Sequence, residues 1–256
     1  MEHKTIVLLA VDCLPTRAVY HAVDKRFGVH KVILEEKEST KVFIKRRIKR
    51  LGFLKVAGQA IFQVLVVPFL NRSSADRVAQ IIAENKLNTA PIPSEKIIQT
   101  LSINDAYVIE ALQQMKPDLV IVNGTRIISK KVLAAVSCPF INMHVGITPM
   151  YRGVHGGYWA LANNDAENCG VTIHLVDAGI DTGKVLYQQK ISVSPEDNFS
   201  SYPVLQFAAG VSLILKAVED ALTNNLRPYQ SIGGSKLWYH PTIGEYLVNR
   251  FSKRVK

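Results

Sequence analysis

The chain is poor in acidic residues and in cysteine. Its 256 residues carry 21 Asp and Glu against 31 Lys and Arg, a formal charge of +10. The run Lys41, Lys45, Arg46, Arg47, Lys49, Arg50 and Lys55 is not interrupted by a single acid. That balance suits an anionic partner, namely a phosphorylated substrate, an acidic membrane surface or nucleic acid, with a merely solvated basic helix as the plain alternative. The three cysteines, Cys13, Cys138 and Cys169, are odd in number, far apart and set among apolar residues. They read as reduced, buried thiols, which excludes a disulfide framework and suits the cytoplasm. The sequence has no CxxC, no HExxH and no paired Cys/His spacing, so no catalytic metal is expected. It also lacks GxxxxGKS/T and a strand-borne GxGxxG, which leaves nucleotide hydrolysis and dinucleotide binding without support. The opening MEHKTIVLLAVDC has too short an apolar run, and an Asp too early, for a secretory signal.

With 48% apolar residues, the chain can build one large domain, or one domain with a small appendage. Thr5 to Val11 is β-branched and leucine-rich and reads as a buried strand. Pro15 to Phe27 suits a helix, Val29 to Leu34 a strand, Pro117 to Gly124 a strand, Ile127 to Val136 a helix, and Phe140 to His144 a short strand. Alternation at these spacings predicts an α/β fold with an open, doubly wound, mostly parallel sheet. After Gly170, VTIHLVD and KVLYQQKISV alternate and are joined by AGIDTG, which predicts an antiparallel extension, followed by a helix from Tyr202 to Leu222. Residues 1–225 are thus expected to form the main domain, with a basic and apolar helical insertion at about 41–72, and 226–256 a short appendage. Pro68 and several polar residues interrupt the insertion, so a membrane span is not expected. A hairpin packed on the sheet or on a second subunit is favoured by its apolar stripe; a helix lying on a bilayer surface is the alternative.

The chemistry concentrates in INMHVGITPMYRG, from Ile141, and VTIHLVDAGIDTG, from Val171. Residues two apart on a strand share a face, so Asn142 and His144 project together, and ligands of such sheets bind beyond the carboxyl ends of the strands. Asp181, from the second segment, can orient and charge-stabilise the imidazole. An amide that donates to an oxyanion, an imidazole that moves a proton and a carboxylate that holds it are the parts acyl transfer to an amine requires. His174 and His240, taken singly, read as structural residues. Gly153, Gly156 and Gly157 suit a tight turn with close backbone approach to a ligand, and His155 is either a site residue or a helix cap.

This pattern resembles the folate-dependent formyltransferase family, in which Asn-x-His is followed by a Pro-x-Tyr-x-Gly type loop and an Asp-x-Gly turn. The matching residues are Asn142, His144, Pro149, Tyr151, Arg152, Gly153, His174, Asp181, Thr182 and Gly183, and the likeness is best from Pro117 to Leu222. It implies a formyltransferase-like fold and Asn142, His144 and Asp181 as catalytic residues. It also implies 10-formyltetrahydrofolate as co-substrate, held near Asn123, Arg126, Ile127, Asp177 and Gly179, with Tyr151, Arg152, Gly153 and His155 on the acceptor side.

Relatives differ in acceptor. The stretch AVDCLPTRAV after the first strand lacks the glycines of a ribose-phosphate cradle, which weakens glycinamide ribonucleotide. The short stretch after the last long helix weakens methionyl-tRNA and nucleic acid generally, and the start on a strand weakens a deformylase. The expectation is therefore an enzyme that formylates a nucleotide-linked amino sugar for lipopolysaccharide or related glycans, in the cytoplasm or at the inner face of the membrane through residues 41–70. Gly233 to Leu247, with Trp238, Tyr239 and Tyr246, suits homodimerisation, an acceptor-side lid or simple packing. A noncatalytic binding or membrane-associated module is the contrasting class, and the intact Asn142, His144 and Asp181 argue against it.

Overall fold

A computed structural model describes residues 4–256. In chain order its elements are β1 (Ile6–Ala10), α1 (Leu14–Phe27), β2 (Lys31–Glu35), α2 (Thr40–Leu51), α3 (Phe53–Ile61), α4 (Val67–Ser73), α5 (Ala75–Glu84), β3 (Ile97–Thr100) and α6 (Ala106–Met115). They continue as β4 (Leu119–Asn123), α7 (Lys130–Leu133), β5 (Phe140–His144), β6 (Arg152–Gly153), α8 (Gly156–Ala162), β7 (Gly170–Leu175), β8 (Val185–Lys190), α9 (Tyr202–Leu222), β9 (Leu237–Trp238) and α10 (Ile243–Ser252).

The main sheet has seven strands in the order β3-β2-β1-β4-β5-β7-β8. All pairs from β3 to β5 are parallel, and β7 and β8 add on antiparallel, as the alternation of the sequence predicts. β1 is buried at every position, and its alternate side chains feed two different cores. Ile6, Leu8 and Ala10 join the layer formed with α1 and α9, whereas Val7 and Leu9 join the opposite layer with α6 and the residues around Val132. The sequence direction reverses between β1 and β4, so the switch point of the fold lies at their carboxyl ends.

The helix expected over Ile127 to Val136 contracts to α7. Asn104, from a distant segment, takes Ser129 N–H on its Oδ1 at 2.7 Å and donates its amide to Ile127 O at 3.0 Å, holding the intervening chain extended. Ser129 then caps the short helix by accepting from Val132 N–H. The strand β3 was not expected: IIQT is short and sits between prolines and polar residues, and only its pairing with β2 defines it.

The insertion folds as a hairpin of α2 and a continuous helix from Phe53 to Ser73, in which Phe62–Val66 forms a π turn between α3 and α4. Pro68 has no N–H to give and its ring crowds the carbonyl four residues before it, which accounts for the widened turn. Phe62, fully buried, packs edge-on to Phe199 at 5.0 Å and against Tyr246 at 4.9 Å. These residues, with Tyr151, Tyr158, Trp159 and Val255, form a third apolar cluster that joins the insertion, α8 and the segment after Leu226. β9 completes this layer by pairing with β6.

Candidate functional site

β5 ends at the switch-point side of the sheet and carries Asn142 and His144 on one face. The antiparallel register sets Asn142 directly opposite His174 of β7, and the Asn142 amide nitrogen lies 3.1 Å from His174 Nε2. His174 Nδ1 donates to Leu175 O at 2.8 Å, so in the neutral ring Nε2 is left to accept from Asn142. His144 Nε2 donates to Tyr151 O at 2.7 Å, which turns Nδ1 toward Asp181 Oδ2 at 3.4 Å. The other oxygen of Asp181 faces His174 Nε2 at 3.6 Å. One carboxylate therefore stands between two imidazoles from adjacent strands.

Asp181 occupies the loop joining β7 to β8 in a left-handed conformation, φ 51°, which Asp tolerates better than most residues. Gly153 N–H donates to its Oδ2 at 2.9 Å. Burial alone would raise its pKa, but the positive charge the two histidines carry when protonated, together with this amide, more than offsets that and holds the group well below the usual carboxylate range. Gly183 and Gly146 are among the glycines of this site that leave no room for a side chain. A Cβ on Gly183 would lie 1.6 Å from Leu175 O, and one on Gly146 would lie 2.3 Å from Tyr151 O and 2.6 Å from His144 Nε2.

A cleft of about 470 Å³ opens over these groups, lined by Asn142, His144, His174, Asp181, Gly153, Asp177, Gly179 and the chain from Val122 to Ile128. Asn123 fixes its floor at the switch point: its carbonyl accepts from Val11 N–H and its Oδ1 from Thr16. Arg126 lines the cleft in the expected segment. Its N–H and guanidinium both bind the buried Glu35, at 2.8 and 3.0 Å, and the guanidinium also reaches the Leu101 and Glu36 carbonyls. It ties the loop to β2. The N–H groups of Ile127 and Ile128 have no hydrogen-bond partner among the described residues. Asp177 accepts from Gly179 N–H and Thr182 Oγ1 and so shapes the Asp181 loop.

A second cleft of about 270 Å³, lined by Thr148, Pro149, Arg152, Thr182, Gly183, Gln230 and Ser231, reaches Asp181 from another side. Two buried side-chain atoms with no partner among the described residues, Thr148 Oγ1 and Arg152 Nε, belong to residues lining it. Tyr151 and His155 line neither cleft. The Tyr151 ring is stacked on Trp238 and its hydroxyl donates to Asp165 at 2.7 Å, so only its carbonyl reaches the site. His155 packs on Phe199 at 4.1 Å and hydrogen-bonds His240 at 3.0 Å, and burial beside His240 holds its pKa well below the ordinary imidazole value. Conversely, His174, read as structural from the sequence, belongs to the cluster; its place opposite Asn142 is the signal that marks it.

An amide, two imidazoles and a held carboxylate at the switch point of an open α/β sheet have the makings of a group-transfer centre. The family model described as Formyl transferase matches residues 63–213, and the chain belongs to that family. Over 123 residues it is 34% identical to a methionyl-tRNA formyltransferase of Syntrophus aciditrophicus, a match covering 48% of this chain and 39% of that protein. The chain spans about half, or less, of the length of the curated relatives it matches. Among solved structures, a sugar N-formyltransferase from Shewanella aligns with TM-score 0.60 at 14% identity, over 93% of this chain and 77% of that one. A phosphoribosylglycinamide formyltransferase from Streptococcus pneumoniae aligns with TM-score 0.55 at 20% identity, over 86% and 99%. These likenesses establish the formyltransferase-like fold.

Proposed function

We propose that the chain transfers a formyl group from 10-formyltetrahydrofolate to the amine of a nucleotide-linked amino sugar. The observation that carries the chemistry is Asp181 held between His144 and His174 beside the Asn142 amide, at the meeting of two clefts. The larger cleft fits a folate-type donor: unpartnered N–H groups at Ile127 and Ile128, with Val122 and Phe207 as apolar wall, suit a flat heterocycle with hydrogen-bonding edges. When bound, the folate supplies the activated formyl group. Asn142 keeps one amide hydrogen beyond the one directed at His174 and uses it on the oxyanion. A carboxylate of such low pKa is a weak base, so Asp181 holds charge and orientation while His144 exchanges the proton. His174 positions both Asn142 and Asp181.

For the acceptor, the cation of Arg152 and the polar Thr148, Gln230 and Ser231 lining the smaller cleft support a small molecule rich in oxygen and negative charge. Asp12, paired with Arg17 at 2.7 Å just before α1, sets an acid where a ribose phosphate would need bare backbone amides, which disfavours glycinamide ribonucleotide. Methionyl-tRNA is the second reading, favoured by the curated relatives. The test is to incubate the protein with 10-formyltetrahydrofolate and nucleotide-linked amino sugars, glycinamide ribonucleotide or charged initiator tRNA, and to weigh the products. A gain of one formyl group on a sugar nucleotide supports the first reading; reaction with tRNA alone replaces it with the second.

A further inference from the structure

The helix from Phe53 to Ser73 is inside out. Every exposed residue between Phe53 and Phe69 is apolar except Lys55, and the large ones are Phe53, Leu54, Ile61, Val64, Leu65 and Phe69. Leu54 is 86% exposed and Val64 69%. Leu54, Ile61, Leu65 and Phe69 fall at steps of a helix face, so the residues form a stripe rather than a scatter. The polar side chains point the other way, into the protein. Gln59 accepts from Arg47 at 2.8 Å and donates to His240 O at 2.6 Å, and Gln63 meets the His240 ring at 3.0 Å. A helix whose outer side faces water is built with the reverse pattern.

Among the described residues this is the one helix long and apolar enough to cross a bilayer, with mean hydropathy 1.8 over its most apolar window. Yet its inner side is fixed to the protein by Phe62, Val56 and the two glutamines, so it can lie along a bilayer but not span it. The neighbouring helix supplies the matching charge. α2 joins α3 at Gly52, buries no side chain, and exposes Lys41, Lys45 and Lys49, none of them in an ion pair among the described residues. Basic residues flanking an apolar stripe recognise anionic headgroups.

We propose that α2 and the helix from Phe53 to Ser73 seat the protein on the surface of an anionic bilayer, with the stripe in the acyl boundary and the lysines among the phosphates. A second copy is the less suitable occupant. A two-fold interface on this face would add two basic α2 helices, from two chains each of charge +10, to one contact. The surface is independent of Asn142, His144 and Asp181, so it can be tested whatever the acceptor.

The experiment is flotation of the full chain with vesicles of phosphatidylcholine alone or mixed with phosphatidylglycerol. Binding should favour the anionic vesicles by about tenfold or more and weaken as salt shortens the screening length. The double substitution Leu54→Glu, Leu65→Glu should lower binding at least about tenfold at an unchanged melting temperature, because both side chains are already exposed. Replacing Lys41, Lys45 and Lys49 by Glu should abolish the anionic preference. Absence of flotation with either vesicle would overturn the proposal. So would a dimer in solution that the leucine substitutions dissolve while flotation is absent, which would assign the face to a second copy.

Discussion

Replacing Asp181 with Asn keeps the size of the side chain and removes only its charge. In the native site that charge faces His144 Nδ1 at 3.4 Å and His174 Nε2 at 3.6 Å, while Oδ2 also accepts from Gly153 N–H at 2.9 Å. The amide can keep the Gly153 bond with its oxygen, so the loop stays in place. Its NH2 then faces His174 Nε2, and the oxygen left beside His144 Nδ1 carries no charge to stabilise the proton that His144 takes up. Losing a preorganised electrostatic contact of this kind lowers kcat by about 10²–10⁴-fold, or about 3–5 kcal/mol of barrier. The assay is release of tetrahydrofolate with the acceptor that turns over, alongside a thermal melt to separate lost chemistry from lost fold. The sign of the stability effect is also fixed. The folded pKa of Asp181 lies below its unfolded value near 4, so the ionised group contributes stability above about pH 4 that fades as pH falls below it. The melting-temperature gap between the native chain and Asp181→Asn should therefore narrow in acid. Turnover within tenfold of native in a well-folded Asp181→Asn protein would refute the assignment.

Other perturbations test the surroundings. Gly146→Ala should leave the chain folded but lower kcat at least about tenfold, since the new methyl displaces the Tyr151 carbonyl or the His144 ring that it holds; steady-state kinetics measure it. Glu35→Ala removes the carboxylate from Arg126, which keeps only its carbonyl acceptors, and leaves Ile103 N–H without its acceptor, so urea unfolding should show a loss of about 3 kcal/mol, with a raised KM for the folate donor as the 124–128 loop loosens. Burial and Arg47 lower the His240 pKa from 6.5 to about 4. The unfolded chain then binds the extra proton first, and stability should fall as pH drops from 6.5 toward 4; His240→Phe should flatten that slope in melts run across the window.

The legible parts of this molecule are those governed by periodicity. β1, α1 and α9 announce themselves by continuous or one-sided apolar runs, and α9 spans Tyr202–Leu222 as its pattern predicts. Asn142 and His144 were readable because two residues on one strand share a face whatever surrounds them. His174 was not, because its significance lies in the β5–β7 register, which the alternation of VTIHLVD permits without specifying. Loop side chains were least readable. Arg126 and Tyr151 sit in the expected segments but turn toward Glu35 and toward Trp238 and Asp165, partners up to 91 residues away in sequence. The apolar stripe after Phe53 was visible as composition, but that its glutamines face inward could be learned only from the fold.

The two-residue ribbon of β6 and β9 has a consequence for anyone recombining this protein with its relatives. Gly153 grips the carboxylate with its N–H, while the next residue, Val154, hangs from the Trp238 carbonyl, two positions before the His240 that receives Gln59 and Gln63. The segment after Leu226 thus lines the smaller cleft and mounts the outer helix at once. Exchanging it for another protein's sequence would exchange both, and a chimera meant to alter acceptor choice should carry residues 53–73 and 226–256 as a matched set.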